Sequence, residues 1–108
     1  MIAFCQNTVT YKNYFVMSGS EKIQENRYTE LKVEYSTDGY SGIDVTYPDG
    51  KRLSFEITEI LNSNISNGST TARYMENINH ITYIITTYNK QGICMRKVSS
   101  AINACYNN

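Results

Sequence analysis

The chain has 108 residues, ten basic and ten acidic side chains, and therefore no formal net charge. A chain of this length forms one domain, 1–108. The charge balance argues against nucleic-acid binding, because nucleic-acid-binding proteins usually carry a basic excess or a basic stripe. No apolar run is long enough to span a bilayer, so we expect no membrane span.

The N-terminus carries a short pattern that has two interpretations. Ala3 and Cys5 are small residues two positions apart, with Phe4 between them and Gln6 after them. This small-x-small pattern is typical of a signal-peptidase site, which would make residues 1–5 the remnant of an export signal. The alternative is that the segment simply begins the first strand.

The odd cysteine count bears on the same question. If Cys5 belongs to a removed signal, then Cys94 and Cys105 remain as a pair, and we expect a disulfide between them. This outcome favours a secreted or periplasmic protein. The alternative is three ordinary reduced thiols in a cytoplasmic protein.

Alternating apolar residues predict the first two strands. The pattern runs from Thr8 to Met17 and again from Tyr28 to Tyr35. Between them, Ser18 and Glu21 have the spacing of a capping box, but few apolar residues follow. We therefore expect a loop or a single helical turn there.

The stretch from Gly42 to Ile57 predicts a β-hairpin. Ile43, Val45 and Tyr47 alternate with polar residues, and a second alternating run follows the turn. Pro48-Asp49-Gly50 supplies a proline-preset turn and a glycine for the left-handed position. Phe55 is expected on the apolar face of the second strand.

The second half of the chain predicts further strands and one helix. Residues 62–71 form a polar tract that should be a mobile loop. Strands are expected at 72–75, 78–88 and 93–98. Val98, Ala101, Ile102 and Cys105 have helical spacing, which predicts a short C-terminal helix.

The predicted fold is therefore mainly β. About six short antiparallel strands should follow one another as a meander and form a strongly curved sheet or a small barrel, with the short C-terminal helix packed against it.

No motif in the sequence predicts catalysis, a metal site or a cofactor. His80 is the only histidine, and the cysteines are too far apart in sequence for a zinc knuckle. Glycine-rich phosphate loops and nucleophile elbows are absent from the sequence. We therefore expect a protein that is not an enzyme.

Tyrosine is the one compositional excess, with ten residues. Tyr28, Tyr40, Tyr74 and either Tyr83 or Tyr88 are more tyrosines than one core is expected to hold, and exposed tyrosines are common at binding surfaces. The alternative is a structural use, because tyrosine favours strands and its polar tip reaches water from a half-buried position. The predicted binding residues are Tyr40 in a glycine-rich turn, Arg52 after the hairpin turn, and His80 and Tyr83 on the long strand 78–88.

Two functions fit these observations. The first is a non-catalytic, exported binding domain that contacts a protein or a small ligand through a sheet face or a barrel mouth. The alternative is a small cytoplasmic inhibitor, immunity or regulatory protein that acts by protein–protein contact. A homodimer is compatible with either function.

Overall fold

Each strand pairs antiparallel with the next in the computed structural model, and the last strand closes the sheet on the first as a barrel. The structure describes residues 8–36, 42–89 and 91–108, with the backbone alone at 26 and 27. The predicted mainly β meander and small barrel are confirmed, but the barrel has eight strands rather than six. The strands are β1 Thr8–Ser18, β2 Glu21–Tyr35, β3 Gly42–Thr46, β4 Arg52–Asn64, β5 Ser69–Glu76, β6 Thr82–Tyr88, β7 Gly92–Lys97 and β8 Ile102–Asn107.

The core fills the inside of the barrel with alternate residues of the strands. Val33, Val45 and Leu53 face one another across β2, β3 and β4 in direct register. Aliphatic residues and four aromatic residues make up the buried cluster: Tyr11, Leu31, Val33, Ile43, Val45, Leu53, Phe55, Ala72, Tyr74, Ile85, Ile93, Met95 and Tyr106. The alternation read from the sequence therefore identifies the inner face of the central hairpin.

The predicted C-terminal helix is wrong. Residues Ile102–Asn107 form β8, which pairs with β7 on one side and with β1 on the other. A helix here would leave the edges of both neighbouring strands without hydrogen-bond partners. The long-range pairing therefore overrides the local helical spacing.

The cysteine pair confirms the predicted disulfide. Cys94 on β7 lies directly opposite Cys105 on β8, with their Cα atoms 4.1 Å apart and a bond between their sulfur atoms. The disulfide therefore joins the last two strands of the barrel. Cys5 lies outside the described residues.

The loop or helical turn predicted after Ser18 is also wrong. Gly19 and Ser20 form a tight turn, with Gly19 at φ +61°, and β2 begins at Glu21. The side chains described from Glu21 to Glu25 are exposed, so this part of β2 has no alternating apolar pattern. Backbone pairing with β1 makes it a strand despite its polar sequence.

The central hairpin is confirmed. Gly50 has φ +92°, and the backbone N–H of Tyr47 donates to the carbonyl of Lys51 at 2.8 Å. The side chain of Asp49 accepts a hydrogen bond from the Lys51 N–H at 2.9 Å. The turn therefore has the left-handed glycine that its sequence predicts.

The polar tract 62–71 is mostly strand rather than loop. β4 continues to Asn64 and β5 begins at Ser69, so only residues 65–68 turn. The hydroxyl groups of Thr71 and Thr86 lie 2.8 Å apart across β5 and β6. Mobility of this segment remains a prediction.

Candidate binding cleft

The wall of the barrel opens where β2 parts from β3. β2 has 15 residues and β3 only five, and the two strands pair only from Lys32 to Tyr35. Beyond Thr46 the chain turns away. The resulting opening, which we call the β2 cleft, has Tyr28 and Thr29 on one side and Tyr47 and Pro48 on the other.

The outer half of the β2 cleft is a depression of about 560 Å³. Its floor is a row of three side chains in direct cross-strand register, Thr10 on β1, Lys32 on β2 and Thr46 on β3. Tyr28 and Pro48 stand at its rim. The floor thus offers hydroxyl and ammonium groups, and the rim offers apolar surface.

The inner half of the cleft is smaller, about 280 Å³, and is mainly aromatic. Tyr14 and Tyr106 line it beside Tyr28, Thr29 and Pro48. The rings of Tyr14 and Tyr106 contact each other with centroids 5.1 Å apart at a tilt of 41°. A ligand at this end of the cleft therefore meets mainly aromatic side chains.

Tyr28 is exposed but held in place. Tyr28 is 75% exposed, yet its hydroxyl donates a hydrogen bond to a carboxylate oxygen of Glu30 at 2.8 Å. Lys12 donates to the same oxygen at 3.2 Å. The hydrogen bond from Tyr28 and then the ammonium of Lys12 lower the pKa of Glu30, so this carboxylate is ionised at neutral pH. The chain of contacts fixes the orientation of an exposed aromatic ring.

The buried phenols near the cleft stay neutral. Burial, followed by the nearby Tyr83 and Glu76, raises the pKa of Tyr47 to about 12. Burial also raises the pKa of Tyr106. At physiological pH these side chains therefore act as aromatic surfaces and neutral hydrogen-bonding groups, not as bases.

The turn after β5 corrects the predicted strand 78–88. β6 begins only at Thr82, and His80 lies in the turn with φ +58°. Glu76 is 1% exposed, and its carboxylate accepts hydrogen bonds from the backbone N–H groups of Ile78 and Asn79. These bonds hold the turn and end the alternating pattern before the strand starts.

The ionisation of Glu76 should make stability depend on pH. Burial acts to raise the pKa of Glu76, but the hydrogen bonds from Asn79 and Ile78 outweigh it, and the net pKa is lowered. A lowered pKa in the folded state means that the ionised carboxylate stabilises the fold above the ordinary glutamate pKa of about 4.3. This contribution is lost as pH falls through the lowered value.

We expect Glu76→Gln to have a lower thermal midpoint than the wild type at pH 7. The gap between the two should narrow as pH falls below about 4.3, because the wild-type carboxylate becomes protonated. The measurement is the thermal midpoint of both proteins from pH 7 to pH 3. The protonation of the other carboxylates affects both proteins alike, so it cancels when the two midpoints are subtracted at each pH. A gap that stays constant over this range would contradict the role of the ionised carboxylate.

Of the three predicted binding residues that the structure describes, two lie at one groove and the third points into the barrel. His80 lines a groove of about 630 Å³ on the outside of the barrel, together with Glu34. Arg52 lies 3.6 Å from Glu34, beside the same groove. Tyr83 instead faces Phe55 inside the barrel, with ring centroids 5.0 Å apart. Tyr40 lies outside the described residues.

The β2 cleft is the stronger candidate although the outer groove is larger. The groove carries the carboxylates of Glu34, Asp44 and Glu56, and its lining includes Ser36 and Gly42, the last and first described residues on either side of 37–41. The β2 cleft presents aromatic rings that a ligand can cover. The sequence analysis noted Tyr28 but did not place it with the other residues of the cleft, because no motif joins them.

Two further searches of the described part of the chain concern metal ligands and long apolar helices. Among the residues described, no three His, Cys, Asp or Glu side chains gather as a metal site. No helix within the described ranges has the length and apolar character needed to cross a membrane.

Comparisons with known proteins add no family to these observations. No protein-family model, no curated protein and no solved structure matches the chain.

Proposed function

We propose that the protein is a non-catalytic binding domain that holds its ligand in the β2 cleft. The observation that carries this proposal is the opening beside the short β3, where two neighbouring depressions share Tyr28, Thr29 and Pro48 and are lined by further tyrosines. Ligand sites favour concave surfaces with aromatic walls and a few polar groups, and barrel mouths are common places for them. The fixed ring of Tyr28 reduces the entropy that a ligand contact would cost.

Export of the protein forms part of the proposal. The Cys94–Cys105 disulfide supports an oxidising compartment, because cytosolic thiols are normally kept reduced. A secreted or periplasmic location therefore fits the disulfide better than the cytoplasmic alternative does.

A fragment screen by protein-observed NMR tests the proposed site. We expect binders whose chemical-shift changes centre on the backbone amides of Tyr28, Thr29 and Tyr47. Tyr28→Ala should weaken these binders about 10-fold, because it removes an aromatic wall. The control is Tyr88→Ala, which removes a partly exposed tyrosine at the end of β6, away from the cleft.

Both variants should keep the thermal midpoint of the wild type within a few degrees. Fragments that bind elsewhere, or that bind Tyr28→Ala and the wild type equally well, would reject the β2 cleft as the binding site.

A further inference from the structure

The outer half of the β2 cleft combines one aromatic platform with a polar floor. Thr10, Lys32 and Thr46 form the floor in direct register, and Thr29 and the ring of Tyr28 stand beside them. The hydroxyl groups of threonine both donate and accept hydrogen bonds, and the ammonium group of lysine donates up to three. The floor therefore suits a ligand with many hydroxyl groups on one side.

We infer that the outer half of the cleft binds a neutral saccharide, with one sugar ring against Tyr28. A pyranose ring has an apolar C–H face and a rim of hydroxyl groups, so it needs both kinds of surface at once. Tyr28 supplies the flat apolar surface, and the threonine row supplies partners for the rim. This inference rests on the proposed function, since it names the ligand class of the same cleft.

The charges at the rim beside Tyr28 are paired, which leaves the ammonium of Lys32 as the charge of the floor. The carboxylate of Glu30 already accepts hydrogen bonds from the Tyr28 hydroxyl at 2.8 Å and from the Lys12 ammonium at 3.2 Å. The acid and the base therefore offset each other at the rim, and neither sign of charge is favoured there. Lys32 on the floor lies in the wide outer space, where it can donate to hydroxyl oxygens.

The platform is also arranged for stacking. Tyr28 is 75% exposed, so a ring face is free to be covered, and its hydroxyl is tied at the far end of the ring. Peptides rich in proline dock in grooves with aromatic walls, so binding of such a peptide in place of a sugar is an outcome that would contradict the saccharide assignment. On the outer side, three threonines, Lys32 and Glu30 line the depression with Tyr28, together with Tyr47 and Pro48.

The test is a titration of the whole chain, labelled with ¹⁵N, against a panel of neutral hexasaccharides. The panel contains oligomers of glucose, N-acetylglucosamine, mannose and xylose, each up to about 10 mM, which detects binding in the millimolar range. We expect at least one sugar to shift the amides of Thr29, Lys32 and Thr46. Tyr28→Ala should weaken this sugar about 10-fold, and Tyr28→Phe should keep most of the affinity because the ring remains.

Two further variants complete the design. Thr46→Val keeps the shape of the floor but removes one hydroxyl, and it should weaken sugar binding without affecting apolar fragments. Tyr88→Ala is the control and should bind the sugar as the wild type does.

Failure of this inference is distinguishable from failure of the proposed function. If no saccharide binds, or if binding is unaffected by Tyr28→Ala, the saccharide assignment is wrong. If apolar fragments or proline-rich peptides still bind at Tyr28 in that case, the cleft remains the binding site with another ligand class. If neither sugars nor fragments bind there, both proposals fail.

Discussion

Replacing Phe55 with alanine should lower the free energy of unfolding by about 3 to 5 kcal/mol. Phe55 is 2% exposed, and its ring meets Tyr83 edge-on inside the barrel, with centroids 5.0 Å apart. Ile43 lies opposite it on β3. The substitution therefore removes buried apolar surface and leaves a cavity that a closed sheet can only partly fill.

The measurement is a urea unfolding curve of Phe55→Ala beside the wild type. The midpoint should fall with little change in slope, because the surface exposed on unfolding is nearly the same. Ile78→Ala is the matched control, since Ile78 is 57% exposed in the turn after β5 and its deletion should change stability by less than about 0.5 kcal/mol. A neutral Phe55→Ala would contradict the inner position of this side chain.

Reduction of the Cys94–Cys105 disulfide should cost about 3 kcal/mol of stability. The two cysteines are 11 positions apart, and breaking their bond releases a closed loop in the unfolded chain. In the chain-entropy model, this release favours the unfolded state. The bond also ties β8 to β7, and β8 completes the barrel against β1.

The experiment compares the thermal midpoints of the oxidised and reduced protein in a Cys5→Ser background, which prevents exchange with the third thiol. We expect a lower midpoint after reduction, and a similar loss in a Cys94→Ala, Cys105→Ala double variant. A thiol titration of the unreduced, unfolded protein should count no free thiols in this background. Two free thiols, or equal midpoints before and after reduction, would contradict the prediction.

The central hairpin could be predicted because its signals are local. Ile43, Val45, Leu53 and Phe55 alternate along two adjacent strands, and the turn with Gly50 lies between them. Each piece of evidence is within a few residues of the next. Local pattern and tertiary structure agree here, and the prediction needed no information from distant parts of the chain.

β8 could not be predicted because its structure depends on distant partners. Ile102 pairs with Ser18, and Asn107 pairs with Asn13, at the other end of the sequence. The spacing of Ala101, Ile102 and Cys105 fits a helix as well as a strand when it is read alone. Only the open edges of β1 and β7 decide between the two.

The β1–β2 hairpin was underestimated for a different reason. The exposed part of β2 from Glu21 to Glu25 does not face the core, so its sequence carries no alternation. The turn at His80 was also missed because the apolar pattern does not reveal it. Glu76 holds that turn through backbone N–H groups, an interaction that does not show in the apolar pattern.

The candidate site was only partly visible in the sequence. Tyrosine excess predicted an aromatic contact surface, and Tyr28 belonged to the tyrosines without an obvious core position. The cleft itself depends on the different lengths of β2 and β3 and on the position of Tyr14, Tyr106 and Pro48 around one depression. These residues come from three separate parts of the chain, and no motif joins them.

The most direct test of the account is the set of intermolecular nuclear Overhauser effects between the protein and its tightest-binding probe, whether a sugar or a fragment. Binding in the β2 cleft predicts contacts from the probe to the ring protons of Tyr28 and to the Pro48 ring. Contacts to His80 and the residues beside Arg52, without any to Tyr28 or Pro48, would contradict the account and assign binding to the outer groove.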